Sequence, residues 1–493
     1  MAGTDELGAR DDAEIALRGP ELIVRTSLGL DRAPALRGLV VPDRRRPDLY
    51  RARPADLDAI TSVIKERQSV YLTFDPAPPL GVEARLTATS RPYQEEALRA
   101  WEEAGRRGVV VLPTGAGKTL VGAMAIARRG TRALVVVPTI VLCAQWREAL
   151  LTLLDLPAEA VGMVGGGSRE WDAPVVVATY DGAARALARI SSFGLLIADE
   201  VHHLPADTYR AIAEAAVAPY RLGLSATLAR SDGREEDLAA LLGPVVYTER
   251  AAPLSREGYL APFEVLRVDV DLGADDRAAY DADMAVFRDY RARTGRRGEP
   301  AFVALERIRR RSAVDRAARA AQLAYGRGRP LALTSRAKID ALEPLLERHA
   351  DDRCIVFAEH VAAVEAVGRV YLMPTITGQT PPAERAALTE GFRAGRLTKI
   401  ATSRVWNEGV DVPEAAVAIV IAGTGMERDA VQRLGRILRP GPDKRATLYE
   451  LVTRDTTDEG IAARRRLRPE RDDGDAAHAR AAKPSVRRRD GTL

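Results

Sequence analysis

One stretch of this chain leaves little choice of local fold: Gly108-Val109-Val110-Val111-Leu112, then Pro113-Thr114-Gly115-Ala116-Gly117, then Lys118-Thr119. The apolar run predicts a buried strand, and residues 120–129 predict an amphipathic helix that Gly130 stops. The turn between them reads as a phosphate cradle. Gly115 and Gly117 let backbone N–H groups point inward at polyphosphate, and the helix N-terminus adds positive dipole. Thr114 and Ala116 complete the loop, Lys118 reaches the β- and γ-phosphates, and Thr119 can ligate Mg²⁺. Leu112 stands where the strict P-loop pattern has its first Gly. The plainer reading is an ordinary strand–turn–helix. A Gly-x-Gly-Lys-Thr turn between correct flanks argues against it, so a nucleoside triphosphate with Mg²⁺ is the expected ligand.

At 493 residues the chain accommodates roughly three domains and buries a core without disulfide staples. Cys143 and Cys354 lie far apart in apolar stretches, and two cysteines are too few for a four-cysteine metal cluster. They are expected to be buried thiols of a reducing cytosol. No apolar run approaches the roughly 18 residues of a membrane span, and the polar N-terminus lacks a signal peptide's apolar segment. The expected location is therefore cytoplasmic, without membrane partners. Net charge is only +4, but the lysines are few (Lys65, Lys118, Lys338, Lys399, Lys444 and Lys483), so Arg supplies nearly all the positive charge. Arg suits phosphate recognition, although GC-rich codon usage yields the same bias.

The hydrophobic pattern divides the chain. Residues 1–20 are polar and Ala/Gly-rich, and a disordered tail is expected there. Residues 21–80 combine strand-like runs at 21–26 and 70–74 with a helix-like segment at 54–66, which predicts a small α+β domain. Across 85–255, strand candidates at 134–137, 175–178, 195–198 and 221–224 follow the P-loop strand and alternate with amphipathic helices. That rhythm predicts a parallel sheet. Residues 256–329 form a connector whose charged, helical part at 275–325 carries Arg307-Ile308-Arg309-Arg310-Arg311. The βα rhythm resumes over 330–455, with strands at 354–357, 400–402, 417–421 and 448–452. Residues 456–493, with Arg464-Arg465-Arg466 and Arg487-Arg488-Arg489, read as a basic tail. The expected fold class is α/β, with two parallel-sheet lobes in tandem.

Leu196-Ile197-Ala198 leads into Asp199-Glu200-Val201-His202-His203, so an apolar strand delivers two acids at its carboxyl end. Asp199 would hold Mg²⁺, Glu200 would orient or deprotonate the attacking water, and His202 would couple the nucleotide to the rest of the machine. An acidic helix cap is the alternative for an isolated pair. Arg91-Pro92-Tyr93-Gln94 precedes the P-loop; Gln94 can pair with an adenine edge and Arg91 lies beside it, or the tetrapeptide simply starts a helix. Thr139 and Thr179 end strands and are candidate contacts to nucleic-acid phosphates, while Trp146 reads as packing. Ser225 and Thr227 would relay nucleotide state or merely cap.

The second lobe contributes Gln432-Arg433-Leu434-Gly435-Arg436-Ile437-Leu438-Arg439, where Gln432, Arg436 and Arg439 share a helix face. Arg436 and Arg439 would act as arginine fingers on the γ-phosphate, with a solvated basic face as the alternative. In Trp406-Asn407-Glu408-Gly409-Val410-Asp411-Val412-Pro413, Gly409 permits close backbone approach and Asp411 can bond the ribose or organise the fingers.

Taken in order, Pro-Thr-Gly-Ala-Gly-Lys-Thr, Asp-Glu-Val-His, Ser-Ala-Thr, Asn-Glu-Gly-Val-Asp-Val-Pro and Gln-Arg-Leu-Gly-Arg-Ile-Leu-Arg resemble superfamily 2 helicases of the DExH type. Within that class the chain resembles the XPB family of DNA-repair helicases in its compact prokaryotic form. The resemblance implies two RecA-like lobes (85–255 and 330–455), a helical thumb-like insertion within 256–329 and a damage-recognition-like domain at 21–80. It also implies ATP-driven 3′→5′ movement on duplex or forked DNA, with a nuclease or a transcription–repair factor as partner. The family's Arg-Glu-Asp trio is Arg230-Ser231-Asp232 here, which puts strand separation in question while leaving translocation. An RNA-directed motor and an ATP-gated scaffold that recruits a nuclease or transcription factor are the other classes considered.

Overall fold

The computed structural model describes residues 12–227, 235–295, 299, 301–403, 415–421 and 446–465. Its N-terminal sheet comprises β1 (Ala13–Arg18), β2 (Glu21–Arg25), β3 (Val40–Pro42), β4 (Leu49–Ala52) and β5 (Val70–Leu72), ordered β3-β4-β2-β1-β5. The sheet buries Ile15, Leu22 and Val24 against Ile60 and Ile64 of helix α1 (Leu57–Lys65). β1 lies inside the stretch expected as a tail, so the domain begins earlier than residue 21. Short polar flanks hid it: Ala13, Ile15 and Leu17 alternate with Glu14, Ala16 and Arg18, the period of a half-buried strand. This domain meets the next through Arg53–Glu214 at 3.1 Å and Arg107–Asp58 at 3.5 Å.

Among the described residues the first lobe is an eight-stranded sheet. Its strands are β6 (Arg107–Val111), β7 (Ala133–Val137), β8 (Val161–Gly165), β9 (Ser168–Arg169), β10 (Val175–Thr179), β11 (Leu195–Asp199), β12 (Tyr220–Ser225) and β13 (Val245–Thr248). They run in the order β13-β6-β12-β11-β7-β10-β8-β9, parallel except for the β8–β9 hairpin. Continuous apolar runs such as Ala133–Val137 fit because helices cover both faces. Helix α2 (Pro92–Glu103) precedes β6, α3 (Lys118–Arg129) follows it, α4 (Ile140–Leu153) follows β7, and α5 (Tyr180–Ala184) follows β10. Gly130 closes α3 in the left-handed conformation at φ +59°, as its position after the periodic residues predicts.

At the opposite, amino-terminal edge of this sheet sits a fully buried Arg221. It donates from Nε to Ala218 O, from Nη1 to Ala213 O and Leu241 O, and from Nη2 to Ala216 O, at 2.7–3.2 Å. These bonds satisfy carbonyls where the preceding and following helices end. Arg221→Met is therefore expected to destabilise the protein by about 1–3 kcal/mol, because buried acceptors lose their donor. Denaturant unfolding of the purified variant measures this, with an unchanged midpoint as the contrary result.

Among the described residues the second lobe has six parallel strands ordered β14-β19-β18-β15-β17-β16. They are β14 (Phe263–Val270), β15 (Cys354–Phe357), β16 (Thr375–Ile376), β17 (Lys399–Thr402), β18 (Val417–Val420) and β19 (Ala446–Thr453). β14 lies in the segment expected as a connector. It pairs with β19 along its whole length, and its Phe-Glu-Val-Leu-Arg-Val-Asp-Val alternation is that of an exposed edge rather than a buried run. The helices Ala274–Thr294, Ala301–Arg311 and Arg316–Thr334 thus interrupt the second lobe after its first strand. Tyr280, Met284, Phe287 and Tyr290 recur at helical spacing and pack on Ile308, Ala318 and Ala321.

The expected basic tail also needs correction at its start. Thr457–Arg465 is a helix, docked by Asp458, whose carboxylate accepts from the buried Lys338 at 2.5 Å and from Thr453 N at 2.9 Å. Both cysteines are buried free thiols; burial pushes Cys354 up to about 11 and Cys143 up to about 12. No helix of the described residues is long and apolar enough to cross a membrane.

Candidate nucleotide site

The carboxyl edge of the first lobe's sheet collects the polar residues. β6 ends in the P-loop, β11 in Asp199, β12 in Ser225, β7 leads to Thr139 and β10 ends in Thr179. In open parallel sheets this is the edge where ligands bind.

Gly115 and Gly117 adopt φ +86° and +80°, the left-handed region where a side chain is strained. A Cβ on Gly117 would also collide with the Gln94 amide. Ala116 is buried, and its carbonyl accepts from Gln94 Nε2 and Tyr93 Oη, both at 2.8 Å. Helix α2 therefore grips the loop from behind. Thr114 Oγ1 is buried and has no hydrogen-bond partner among the described residues. Lys118 Nζ reaches back to Leu112 O at a long 3.4 Å. An orphaned hydroxyl, a slackly held ammonium and a helix N-terminus around one glycine loop fit a polyphosphate.

Gln94 does not present an open adenine-reading edge. It is buried, its Oε1 accepts from Arg91 N at 2.9 Å, and its Nε2 is spent on Ala116. Being the third residue of α2, it closes a capping box, so both ends of the amide serve the backbone. Arg91 Nη1 donates to Tyr259 O at 3.0 Å and to Tyr93 Oη at 3.2 Å, with its guanidinium 5.3 Å from the Tyr259 ring centroid.

Asp199 is buried and gripped at three atoms. Oδ1 accepts from Glu200 N at 2.9 Å, Oδ2 from Trp146 Nε1 at 2.8 Å, and its carbonyl from Tyr180 Oη at 2.9 Å. Burial raises its carboxyl above the ordinary range, against the opposing pull of the Lys118 charge, the indole N–H and the Glu200 amide. A buried carboxylate facing a P-loop cation is a hard oxygen donor of the kind Mg²⁺ takes, and Thr119 in the first turn of α3 adds a hydroxyl. Glu200 sits at φ 46°, ψ 53°, an uncommon left-handed conformation for a residue with a side chain. Its Oε2 lies 3.5 Å from Nδ1 of the buried His202, whose ring packs against His203 at a 40° tilt with centroids 4.3 Å apart.

The strand-end hydroxyls act as caps. Thr139 Oγ1 accepts from Leu142 N at the start of α4, and Thr179 Oγ1 accepts from Gly182 N at the start of α5. Ser225 Oγ bonds both the N–H and the carbonyl of Thr227, while Thr227 Oγ1 is buried with no partner among the described residues. Gly409, Asp411, Gln432, Arg436 and Arg439 lie outside the described residues, as does Arg230-Ser231-Asp232.

Sequence reasoning took Tyr180 only as the neighbour of Thr179 at a strand end and Trp146 as packing, and saw neither as a partner of Asp199. An indole or phenol in an apolar helix gives no local sign of the acceptor it will meet across the sheet.

Fold and site define a tandem-lobed P-loop protein of the helicase class. The solved helicase domain of Pyrococcus furiosus Hef overlays with a TM-score of 0.53 at 20% identity, over 76% of this chain and 97% of that one. Residues 87–230 match the family described as type III restriction enzyme, res subunit, and residues 325–469 match the ERCC3/RAD25/XPB C-terminal helicase. "DNA 3′-5′ translocase XPB2" of Sulfurisphaera tokodaii is 38% identical over 76% of this chain and 84% of its own length. "DNA 3′-5′ helicase XPB" of Kineococcus radiotolerans and that of Mycobacterium tuberculosis are each 35% identical over 76% of this chain, and the match spans 62% of either relative. The chain belongs to the XPB family of superfamily 2 helicases.

Proposed function

We propose that this chain is an ATP-dependent 3′→5′ DNA translocase or helicase acting in DNA repair. The observation that carries this reading is the convergence, at one sheet edge, of the P-loop cation Lys118 and the gripped acid Asp199, in a chain of this family.

The P-loop amides and Lys118 hold the triphosphate, and Thr119 and Asp199 hold Mg²⁺. When bound, the metal neutralises charge on the phosphates. Glu200 orients the attacking water, with His202 beside it relaying the state of the site. Arg436 and Arg439, with Gly409, Asp411 and Gln432 around them, supply guanidinium groups from the second lobe. Hydrolysis then requires the lobes to close, which converts nucleotide state into movement. Thr139 and Thr179 sit where two helix N-termini meet the carboxyl edge, a place suited to DNA phosphates. The N-terminal sheet lies outside both matched segments, and recognition of damaged DNA is the role proposed for it. A nuclease or transcription–repair factor is the partner class such a motor would serve.

Steady-state ATPase with duplex DNA, single-stranded DNA, RNA or no nucleic acid tests the reading, run beside strand displacement. DNA is expected to stimulate turnover, and stimulation is expected to fall steeply between about 50 and 200 mM salt as phosphate contacts are lost. Stimulation by RNA alone makes it an RNA motor, and absence of turnover makes it a scaffold. Turnover without displacement assigns translocation.

A further inference from the structure

The indole of Trp146 bridges the metal-site acid Asp199 and α3, the helix that opens with Lys118 and Thr119. Its Nε1 donates to Asp199 Oδ2 at 2.8 Å. The far rim of the ring lies against the P-loop helix: a Cβ on Gly122 would stand 2.7 Å from Cη2 and 3.1 Å from Cζ3. Gly122 thus admits the indole between α3 and the end of β11. Trp146 itself belongs to α4, whose first turn is capped by Thr139, and it is only 2% exposed.

A carboxylate that ligates a metal needs one fixed rotamer. Glu200 N takes Oδ1 and Trp146 takes Oδ2, leaving the remaining lone pairs of both oxygens aimed by a two-point grip. Bonds to an ionised acceptor in a buried setting are the strong ones. Partners of this kind, one bond removed from the metal, typically govern metal affinity or activity by about 10–100-fold. Any buried indole N–H needs an acceptor; what distinguishes this one is that its acceptor is a side-chain carboxylate at the carboxyl end of β11 rather than a backbone carbonyl.

We propose that Trp146 is a positioning residue, whose indole N–H fixes the Asp199 carboxylate for Mg²⁺. The proposal rests on the nucleotide-site reading above. Trp146→Phe keeps a ring against Gly122 and deletes the N–H. Binding of a fluorescent ATP analogue is measured at increasing Mg²⁺ and in EDTA, alongside the Mg²⁺ dependence of turnover and the melting curve. In the variant, Mg²⁺ half-saturation is expected to rise at least about tenfold in both assays, with binding in EDTA unchanged and turnover partly restored at high Mg²⁺. Gly122→Ala, which crowds the same indole from the other side, is expected to move the Mg²⁺ midpoint in the same direction.

A Trp146→Phe protein that melts lower but keeps the wild-type Mg²⁺ midpoint overturns the proposal. Should Trp146→Phe fail to fold, an unshifted midpoint in Gly122→Ala overturns it instead. A wild-type protein that binds no nucleotide in a Mg²⁺-dependent way defeats the site reading itself, a result distinguishable from either.

Discussion

Glu200→Gln is expected to cut DNA-stimulated ATP turnover by about 10²–10⁴-fold while leaving ATP binding intact. The side chain follows directly on Asp199, is mostly buried, and lies 3.5 Å from His202 Nδ1. Gln keeps its shape and removes the negative charge that a water-orienting group needs. The left-handed backbone at this position costs a Gln as much as a Glu, so the melting temperature should not move. Single-turnover hydrolysis and equilibrium binding of a fluorescent nucleotide separate the two effects. Wild-type turnover in the variant would remove Glu200 from the chemistry altogether.

Lys118→Ala should differ in kind, because it strikes binding as well as chemistry. Among the described residues the ammonium holds a long 3.4 Å bond to Leu112 O, so a triphosphate gains it at small cost to the loop. Removing such a group typically costs roughly 3–4 kcal/mol of transition-state stabilisation, or about 10²–10³ in kcat. The Asp199 carboxyl loses a second thing, the nearby positive charge that counters its burial. Both the fluorescent-nucleotide signal and DNA-stimulated turnover are expected to fall to background, with α3 and the melting curve preserved. Retained ATP affinity in Lys118→Ala would mean that the loop amides alone carry the phosphates.

Much of the first lobe is legible without coordinates. β7, β10, β11 and β12 fall within a residue of the runs read from hydrophobicity, because a parallel strand buried on both faces leaves an unbroken apolar record. The P-loop is equally plain, since left-handed glycines and a helix N-terminus have a short-range signature. β1 and β14 were not legible as members of their sheets. Each alternates polar with apolar residues, and membership of a sheet is decided by partners far away: β1 by β2 and β5, β14 by β19.

The same division runs through the site. Residue types and spacing named Lys118, Thr119, Asp199 and Glu200 as candidates, because phosphate and metal chemistry calls for those groups at the carboxyl edge of a parallel sheet, here at the ends of β6 and β11 with β12 between them. Side-chain hydrogen bonds across the sheet lie beyond that reach. Gln94 reads as an adenine contact; its Oε1 closes a capping box on Arg91 N and its Nε2 donates to the P-loop carbonyl of Ala116. Thr139 and Thr179 read as phosphate contacts and cap their own helices. Chain order alone thus determined the α/β class, the two lobes and the chemical groups of the nucleotide site, since each is written in local periodicity. Only the tertiary structure decided which aromatic donors hold Asp199 and which strands close each sheet, because a hydrogen bond spans three ångströms of space at any separation in sequence.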